Sequence, residues 1–251
     1  MLTRQRKRYI LEVLGQEGQV VAKNLSEALG LSEDTIRRDL RELAAEGLLQ
    51  RVHGGALPAS PAVAGFAERQ QIAPAGKVAI GRAAAGLVES GQVVILDGGT
   101  TAVQVARHLA RDLRATVVTH SPTIAVELAE HPSAEVIMIG GRLFKHSVVT
   151  VGAAAAEAIG RIRADLYFMG VTGIHPQEGL STGDLEEAHI KRALSGRAAE
   201  TFVLASSEKL GAVSPYLIAP TGEVSGMIVE RRVPDDLVNA YRDLGLEVVL
   251  G

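Results

Sequence analysis

The residues whose types and spacing suit chemistry are three arginines, Arg37, Arg38 and Arg41, and a turn reading Asp97-Gly98-Gly99-Thr100-Thr101. At 100° per residue, a helix carries Arg37, Arg38 and Arg41 with Asp34 on one side and Ile36, Leu40 and Leu43 on the other. Guanidinium groups suit phosphate oxygens and the paired O6/N7 acceptors of guanine in the major groove. Thr35, near the helix start, is placed for a base edge or a thymine methyl. Asp34 is equally spaced to pair with Arg37 or Arg38 at i+3 and i+4, as on an ordinary solvated face.

The turn suggests a different ligand. Gly98 and Gly99 let the backbone bend tightly and present N–H groups, Thr100 and Thr101 add hydroxyls, and the predicted helix behind them aims its positive end at the same spot. This is a phosphate cradle, but neither a dinucleotide fingerprint nor a nucleotide P-loop, because G-x-G-x-x-G and G-K-[ST] are both missing. Taken singly, such a turn is more often a plain strand-to-helix connection. Convergence marks a site: Thr119-His120-Ser121, Gly140-Gly141-Arg142, Gly170 with Gly173, and Ser206 through Lys209 also fall at the ends of predicted strands. Lys191 is spaced to pair with Glu187 at i−4. The histidines show no metal-ligand spacing and no nucleophilic or acid–base constellation stands out, so neither a metal, a cofactor nor a catalytic residue is expected.

These residues need particular elements to position them. Apolar spacing predicts two short helices ending near Gly15–Gly18 and at Gly30, then a third that Ser32 caps and Gly47 closes. Leu48 through Gly55 reads as a strand entering a Gly-Gly turn, a wing that would carry Arg51 and His53 to a neighbouring phosphate or minor groove. The basic start, Arg4, Arg6, Lys7 and Arg8, reads as an arm for the same partner. An uncharged stretch with two prolines follows, so residues 1–56 form a small domain and 57–67 a linker. Residues 68–251 alternate predicted strands (92–96, 115–119, 135–139, 165–169, 200–205, 226–229, 246–250) with helices, an α/β domain with a largely parallel sheet.

Composition excludes several classes. There is no Cys among 251 residues, which removes disulfide scaffolds, thiol catalysis and Cys-ligated zinc. Four Tyr, four Phe and no Trp cannot supply the stacked rings of a single-strand nucleic-acid platform. Hydrophobic residues make up 47%, enough for substantial cores, yet no uncharged run approaches the roughly 18 residues of a membrane span. Glu12 breaks the apolar stretch behind the basic start, so a signal peptide is not expected and the expected location is cytoplasmic. The first 56 residues hold nine Lys/Arg against eight Asp/Glu, so nucleic-acid contact must come from placement rather than bulk charge.

Ser32-Glu33-Asp34-Thr35-Ile36-Arg37-Arg38-Asp39-Leu40, followed by Gly47-Leu48-Leu49-Gln50-Arg51-Val52-His53-Gly54-Gly55-Ala56, closely resembles the winged helix-turn-helix signature of the DeoR family of bacterial transcriptional regulators. The resemblance continues through Asp97-Gly98-Gly99-Thr100-Thr101, Gly140-Gly141, Asp165 with Gly170 and Gly173, Asp184-Leu185-Glu186-Glu187-Ala188 with Lys191-Arg192, and Ser207 with Lys209. It implies a Rossmann-like C-terminal domain resembling the ribose-5-phosphate isomerase and glucosamine-6-phosphate deaminase fold. It further implies a repressor that binds double-stranded operator DNA as a homodimer or homotetramer. The effector would be a phosphorylated sugar or polyol. By the resemblance, DNA would meet Ser32, Thr35, Arg37, Arg38, Arg41, Arg51 and His53. The effector would meet Asp97, Gly98, Gly99, Thr100, Thr101, His120, Ser121, Gly140, Gly141, Gly170, Lys191 and Lys209. His120 stands where the family usually has Asn, and Ser206 where it usually has Asp. Both bear on the effector's identity rather than the fold. The rival reading is a sugar-phosphate isomerase or deaminase with a helical appendage, for which Asp97, Glu187 and Lys209 are the available groups.

Overall fold

The computed structural model describes residues 2–251, so the first residue of the predicted N-terminal domain lies outside the described residues. Helix α1 (Thr3–Glu17) runs through Gly15 and ends only at Gly18, whose φ of +71° stops the helix in the left-handed region. A short strand β1 (Val20–Val21) leads into α2 (Ala22–Leu29) and, after the turn at Gly30, into α3 (Glu33–Ala45). The Ser32 hydroxyl accepts from the Thr35 N–H at 3.3 Å, and Glu33 and Asp34 sit in the first turn of α3, where its dipole favours negative charge. Ile36, Leu40 and Leu43 are buried against Ile10, Leu14 and Leu25. Each such side chain contributes about 1.5–3 kcal/mol.

The wing is the hairpin of β2 (Leu49–Val52) and β3 (Gly55–Pro58). Strand β1, which sequence spacing does not reveal, completes an antiparallel sheet in the order β1-β3-β2. The approach is so close that a Cβ on Gly55 would lie 1.9 Å from the Val20 carbonyl oxygen. A glycine is required there for sheet closure, not only for the turn.

The predicted linker is a packed strap. Val213 donates its N–H to the Pro58 carbonyl at 3.3 Å, and Ser60 caps a 3-10 turn over Pro61–Val63. Helix α4 (Phe66–Arg69) is held where the Phe66 N–H meets the His146 carbonyl at 3.0 Å and the His146 Nε2–H donates to Val63 at 2.9 Å. Uncharged small residues make a flexible tether and a docked segment look alike in composition. Neither costs any desolvation of charge to bury.

The rest is α/β: α5 (Pro74–Ala85), β4 (Val93–Leu96), α6 (Thr100–His108), β5 (Thr116–Thr119), α7 (Pro122–Leu128), β6 (Glu135–Met138), β7 (Arg142–Phe144), β8 (Val149–Val151), α8 (Ala153–Ile159), β9 (Ala164–Gly170), β10 (Gly173–His175), β11 (Gly179–Thr182), α9 (Leu185–Ser195), β12 (Ala198–Leu204), β13 (Tyr216–Ala219), β14 (Gly226–Val229), α10 (Asp235–Arg242) and β15 (Glu247–Leu250). Seven strands pair in parallel in the order β15-β14-β12-β9-β4-β5-β6. Alternation along the strands divides two cores. Val94, Leu96 and Phe168 pack with Ile80, Val105 and Ile124 on one face, while Ile95, Tyr167 and Met169 pack with Ile159, Leu194 and Val238 on the other. The antiparallel β7-β8 hairpin and the β10-β11-β13 sheet are not foreseen by a purely alternating reading.

Strand order places the crevice. From β4 the chain moves outward through β5 and β6, then returns to β9 on β4's other side and moves away through β12, β14 and β15. Loops leaving the carboxyl ends of β4 and β9 therefore diverge, opening a gap at the switch point where ligands bind in sheets of this kind.

Candidate functional site

Two basic regions stand out. On α3, Arg37, Arg38 and Arg41 are exposed, Thr35 is half-buried, and Ser32 is held at the helix start. Arg37 meets Glu33 at 2.6 Å and reaches Asp34 at 4.0 Å, and Arg38 meets Glu42 at 3.3 Å. Arg41 forms no salt bridge among the described residues and is free for an external anion. Arg51 on β2 and His53 in the turn are exposed on the wing. They flank a groove shared with Glu178 and Ser214 of the α/β domain.

The basic start is not an arm. Arg4, Arg6, Lys7 and Arg8 lie in the first turns of α1, and Arg6 is buried in a two-pronged ion pair with Asp39 of α3, one arm of it 2.9 Å. Lys7 bridges Glu46 at 2.9 Å and Glu42 at 3.0 Å. Arg6 and Lys7 thus lock α1 onto α3, while the exposed Arg8 pairs with Glu12 of α1 itself at 3.5 Å. Arg6 and Asp39 are 33 positions apart, so only the fold reveals the pair.

The second region is the crevice at the β4/β9 switch point. Gly98, Gly99, Thr100 and Thr101 line it at the start of α6, with Gly170, Lys191 and Lys209 facing them. Gly99 has a φ of +109°, and a Cβ on Gly98 would meet Val149 at 2.1 Å, so both glycines are sterically required. The first N–H groups of α6 have no partners within the helix, and they open toward the crevice with its positive dipole end.

Asp97 does not face this space. Its carboxylate is fully buried and accepts four hydrogen bonds: from Gly98 N–H (2.8 Å), His120 Nε2 (2.7 Å), Gly170 N–H (2.7 Å) and Lys191 Nζ (2.5 Å). Burial pushes this carboxyl up, but the Lys191 charge and the His120 contact outweigh it and hold it well below the usual carboxylate range. Asp97 thus ties the ends of β4 and β9 together and aims Lys191. Lys191 stands 4.0 Å from Glu187, but both are buried, so this is no solvated helix-face pair.

His120 is also an interior bridge. Its Nδ1 meets the Thr150 carbonyl at 2.9 Å and its Nε2 meets the Asp97 carboxylate at 2.7 Å, so both ring nitrogens are engaged inside the domain. Ser121 is buried with its hydroxyl 2.8 Å from Thr123 and 3.2 Å from the Val148 carbonyl. Gly140 and Gly141 do not line the crevice: both are exposed, and Gly141 lies against Val151 and Ala155. Ser206 is buried too and donates to Glu208 at 2.7 Å, so the carboxylate missing at that position is supplied two residues later.

Sequence reasoning overlooked Arg69, Lys77, Ser147, Thr172 and Thr182, which line the crevice together with Glu187 and Glu208. Burial lowers the pKa of Arg69 and Lys77 from their ordinary values and brings Lys209 down to about 8. Lys209 donates to the Leu204 carbonyl at 3.2 Å, while Nε and Nη2 of Arg69 are buried without any acceptor. Glu208 keeps one buried oxygen, Oε2, without a donor. A crevice holding both orphaned cationic donors and an orphaned carboxylate oxygen suits a ligand with an anionic end and hydroxyls. Among the described residues, no group of three His, Cys, Asp or Glu could hold a metal, and no helix is long and apolar enough to cross a membrane.

Both regions lie within segments that match known protein families. Residues 6–61 match the DeoR-like helix-turn-helix domain, and residues 72–231 match the DeoR C terminal sensor domain. The transcriptional regulator GlpR of Haloferax volcanii is 36% identical over 255 residues, covering 100% of this chain and 99% of GlpR. GolR of Listeria innocua is 32% identical, covering 97% of each chain. A putative aga operon transcriptional repressor of Escherichia coli O157:H7 is also 32% identical, covering 99% of this chain and 94% of the relative. Among solved structures, ribose 5-phosphate isomerase A of Methanocaldococcus jannaschii overlaps 53% of this chain and 52% of its own, with a TM-score of 0.40 and 17% identity. With a DNA-binding match and a sensor match in the expected order along one chain, this protein belongs to the DeoR family of helix-turn-helix transcriptional regulators, and is a regulator rather than an enzyme.

Proposed function

We propose that this chain is a repressor of a sugar or polyol catabolic operon, and that a phosphorylated sugar or polyol bound at the β4/β9 switch point sets its operator affinity. One observation carries the proposal. The crevice gathers the half-buried Arg69 and the buried Lys77, Lys191 and Lys209 at the α6 N-terminus, with two buried Arg69 nitrogens lacking acceptors. Such a cluster is costly to hold without an anion. The unpaired Glu208 oxygen beside it suits a ligand hydroxyl. The names of several relatives, including the putative aga operon repressor, support repression over activation.

In this reading α3 lies in the major groove with Arg37, Arg38, Arg41 and Thr35 toward base edges and phosphates, and Arg51 and His53 contact DNA from the wing. One helix reads too few base pairs for specificity, so the protein binds as a homodimer or homotetramer on repeated half-sites. The ligand controls binding only through unequal affinity for the DNA-competent and DNA-incompetent states. The test is a gel shift on DNA upstream of the protein's own gene, repeated with a panel of phosphorylated sugars and polyols. A specific complex that one of these compounds dissolves or tightens is expected. An operator complex indifferent to every phosphorylated compound would remove the effector assignment while leaving the DNA-binding one.

A further inference from the structure

Arg69 belongs to two cavities. One is the crevice just described. The other is a cleft of about 440 Å³ between the two domains, walled on one side by Ala44, Leu49 and Gln50 of the DNA-binding domain. The two spaces share Arg69, Ser147, Thr172 and Glu187, a partition one residue thick. In this partition Ser147 and Thr182 donate to Glu187 Oε2 at 3.1 and 3.4 Å, and Thr172 donates to Ser214 at 2.7 Å. Arg69 alone of the four shared residues has buried polar atoms without partners.

The crevice itself encloses only about 30 Å³, roughly the room of one water molecule. Small-molecule sites run to several hundred cubic ångströms, so a sugar phosphate cannot enter unless part of the wall moves. The strand ends and α9 are tied by the four bonds of Asp97. The strap bearing Ala62, Arg69 and Ile72 is held by a few single bonds: Val63 and Phe66 to His146, and the Arg69 carbonyl to Lys77 Nζ. Its far end passes into α5 through Ala73, whose φ of +44° is an unfavourable conformation for a residue with a Cβ. Its near end continues directly into β3 of the wing.

We infer that Arg69 takes the oxygens of the bound anion and that the strap carrying it is the wall that moves on binding, so that occupancy of the crevice is passed through residues 60–72 to the wing. This rests on the crevice being the effector site. Charge supports it independently of shape: Lys77, Lys191 and Lys209 face Arg69 across the crevice, against Glu187 and Glu208, and the Arg69 nitrogens remain unsatisfied. An anion would relieve the repulsion among the cations and supply the missing acceptors in one step.

The experiment compares the full-length protein with Arg69→Gln, using inorganic phosphate at pH 8, by thermal shift and by hydrogen exchange of residues 60–73 and 49–58. In the parent protein, phosphate is expected to raise the melting temperature and to change exchange in both segments. Arg69→Gln removes a half-buried cation with two buried, unpartnered nitrogens, so without phosphate it should melt at the same temperature or higher. Its phosphate affinity should fall at least about tenfold. A lowered melting temperature with an unchanged phosphate response would make Arg69 a mere packing residue and overturn the inference, leaving the anion site intact. A parent protein indifferent to phosphate would overturn the anion site itself, and this inference with it. Weakened binding with undiminished exchange changes at saturating phosphate would overturn the strap's role as messenger. Arg69→Lys, which keeps the charge but loses the fork, should recover only part of the affinity and serves if Arg69→Gln fails to fold.

Discussion

The two basic regions of this molecule hold their charges in opposite ways. On α3, Arg37 and Arg38 lie in water with Glu33 and Glu42 four residues away, and Arg41 stands unpaired beside them. Keeping those groups charged costs little, and a polyanion need only displace exposed carboxylates and counterions. In the crevice, Arg69, Lys77 and Lys209 are desolvated, and burial pulls all three toward their neutral forms. The difference separates two kinds of recognition. An exposed cluster gives fast, salt-sensitive association, whereas a buried one stores unfavourable free energy that only a fitting anion relieves. Substitutions should therefore divide cleanly: on α3 they change DNA affinity without stability, and in the crevice they change stability and ligand response together.

The largest effect expected is at Asp97. Asp97→Asn removes the charge that holds Lys191 and leaves this buried cation only the more distant Glu187, which costs about 3–5 kcal/mol. At roughly 2–4 °C per kcal/mol for a chain of this size, the melting temperature should fall by about 6–20 °C. A variant melting with the parent protein would mean that Asp97 does not anchor the switch point. Next comes Arg41→Ala, which should weaken operator binding about 10- to 100-fold in a gel shift, with an unchanged melting temperature. Loss of stability at Arg41 would break the contrast between the regions.

A smaller effect concerns protons. Burial takes the Lys209 ammonium from its ordinary 10.5 to about 8. Between those values the unfolded chain holds more protons at this position than the folded one, so this group's contribution to stability rises with pH across about 8–10.5. A bound anion favours the ammonium and reverses the shift. Sulfate, which does not titrate here, should bind with proton uptake at about pH 9, and Lys209→Gln should abolish that uptake. Calorimetry in buffers of different ionisation enthalpy reads it directly. Uptake that survives in Lys209→Gln would assign the proton to another group.

Much of the fold is local, and that part is legible. The Ser32 cap, the Ile36, Leu40 and Leu43 stripe, and the β-branched strands carry their own periodicity, and the switch-point loops announce themselves by Gly and Thr. What is not legible depends on distant partners. The placing of β4 between β5 and β9 decides where the loops part and the crevice opens, but strand order leaves no mark on either strand's sequence. Asp97 and His120 resemble pocket ligands because a carboxylate and an imidazole at strand ends can face either way. Only the positions of Lys191, Gly170 and Thr150 turn them inward. Arg69 was hidden for another reason: a lone cation after an uncharged stretch reads as a solvated surface group until the fold buries its nitrogens.

The smallest prediction asks whether the ion pairs on the exposed face shape selectivity or are only surface chemistry. Glu42 sits 3.0 Å from Lys7 and 3.3 Å from Arg38, and hydrogen bonds from those two cations hold its carboxyl below its usual range. It therefore stays ionised through neutral pH and repels the phosphates that Arg38 would approach. Glu42→Gln keeps the shape, removes the repulsion and frees Arg38. DNA of arbitrary sequence should then bind about two- to fivefold more tightly, with the gain shrinking as salt is raised. Operator DNA should gain less, because in the specific complex Arg38 has already left Glu42. The ratio of operator to arbitrary-sequence affinity should thus fall while both affinities rise. Equal gains on both DNAs would mean that Glu42 acts only on long-range charge, and that the carboxylates of α3 play no part in restricting where its arginines bind.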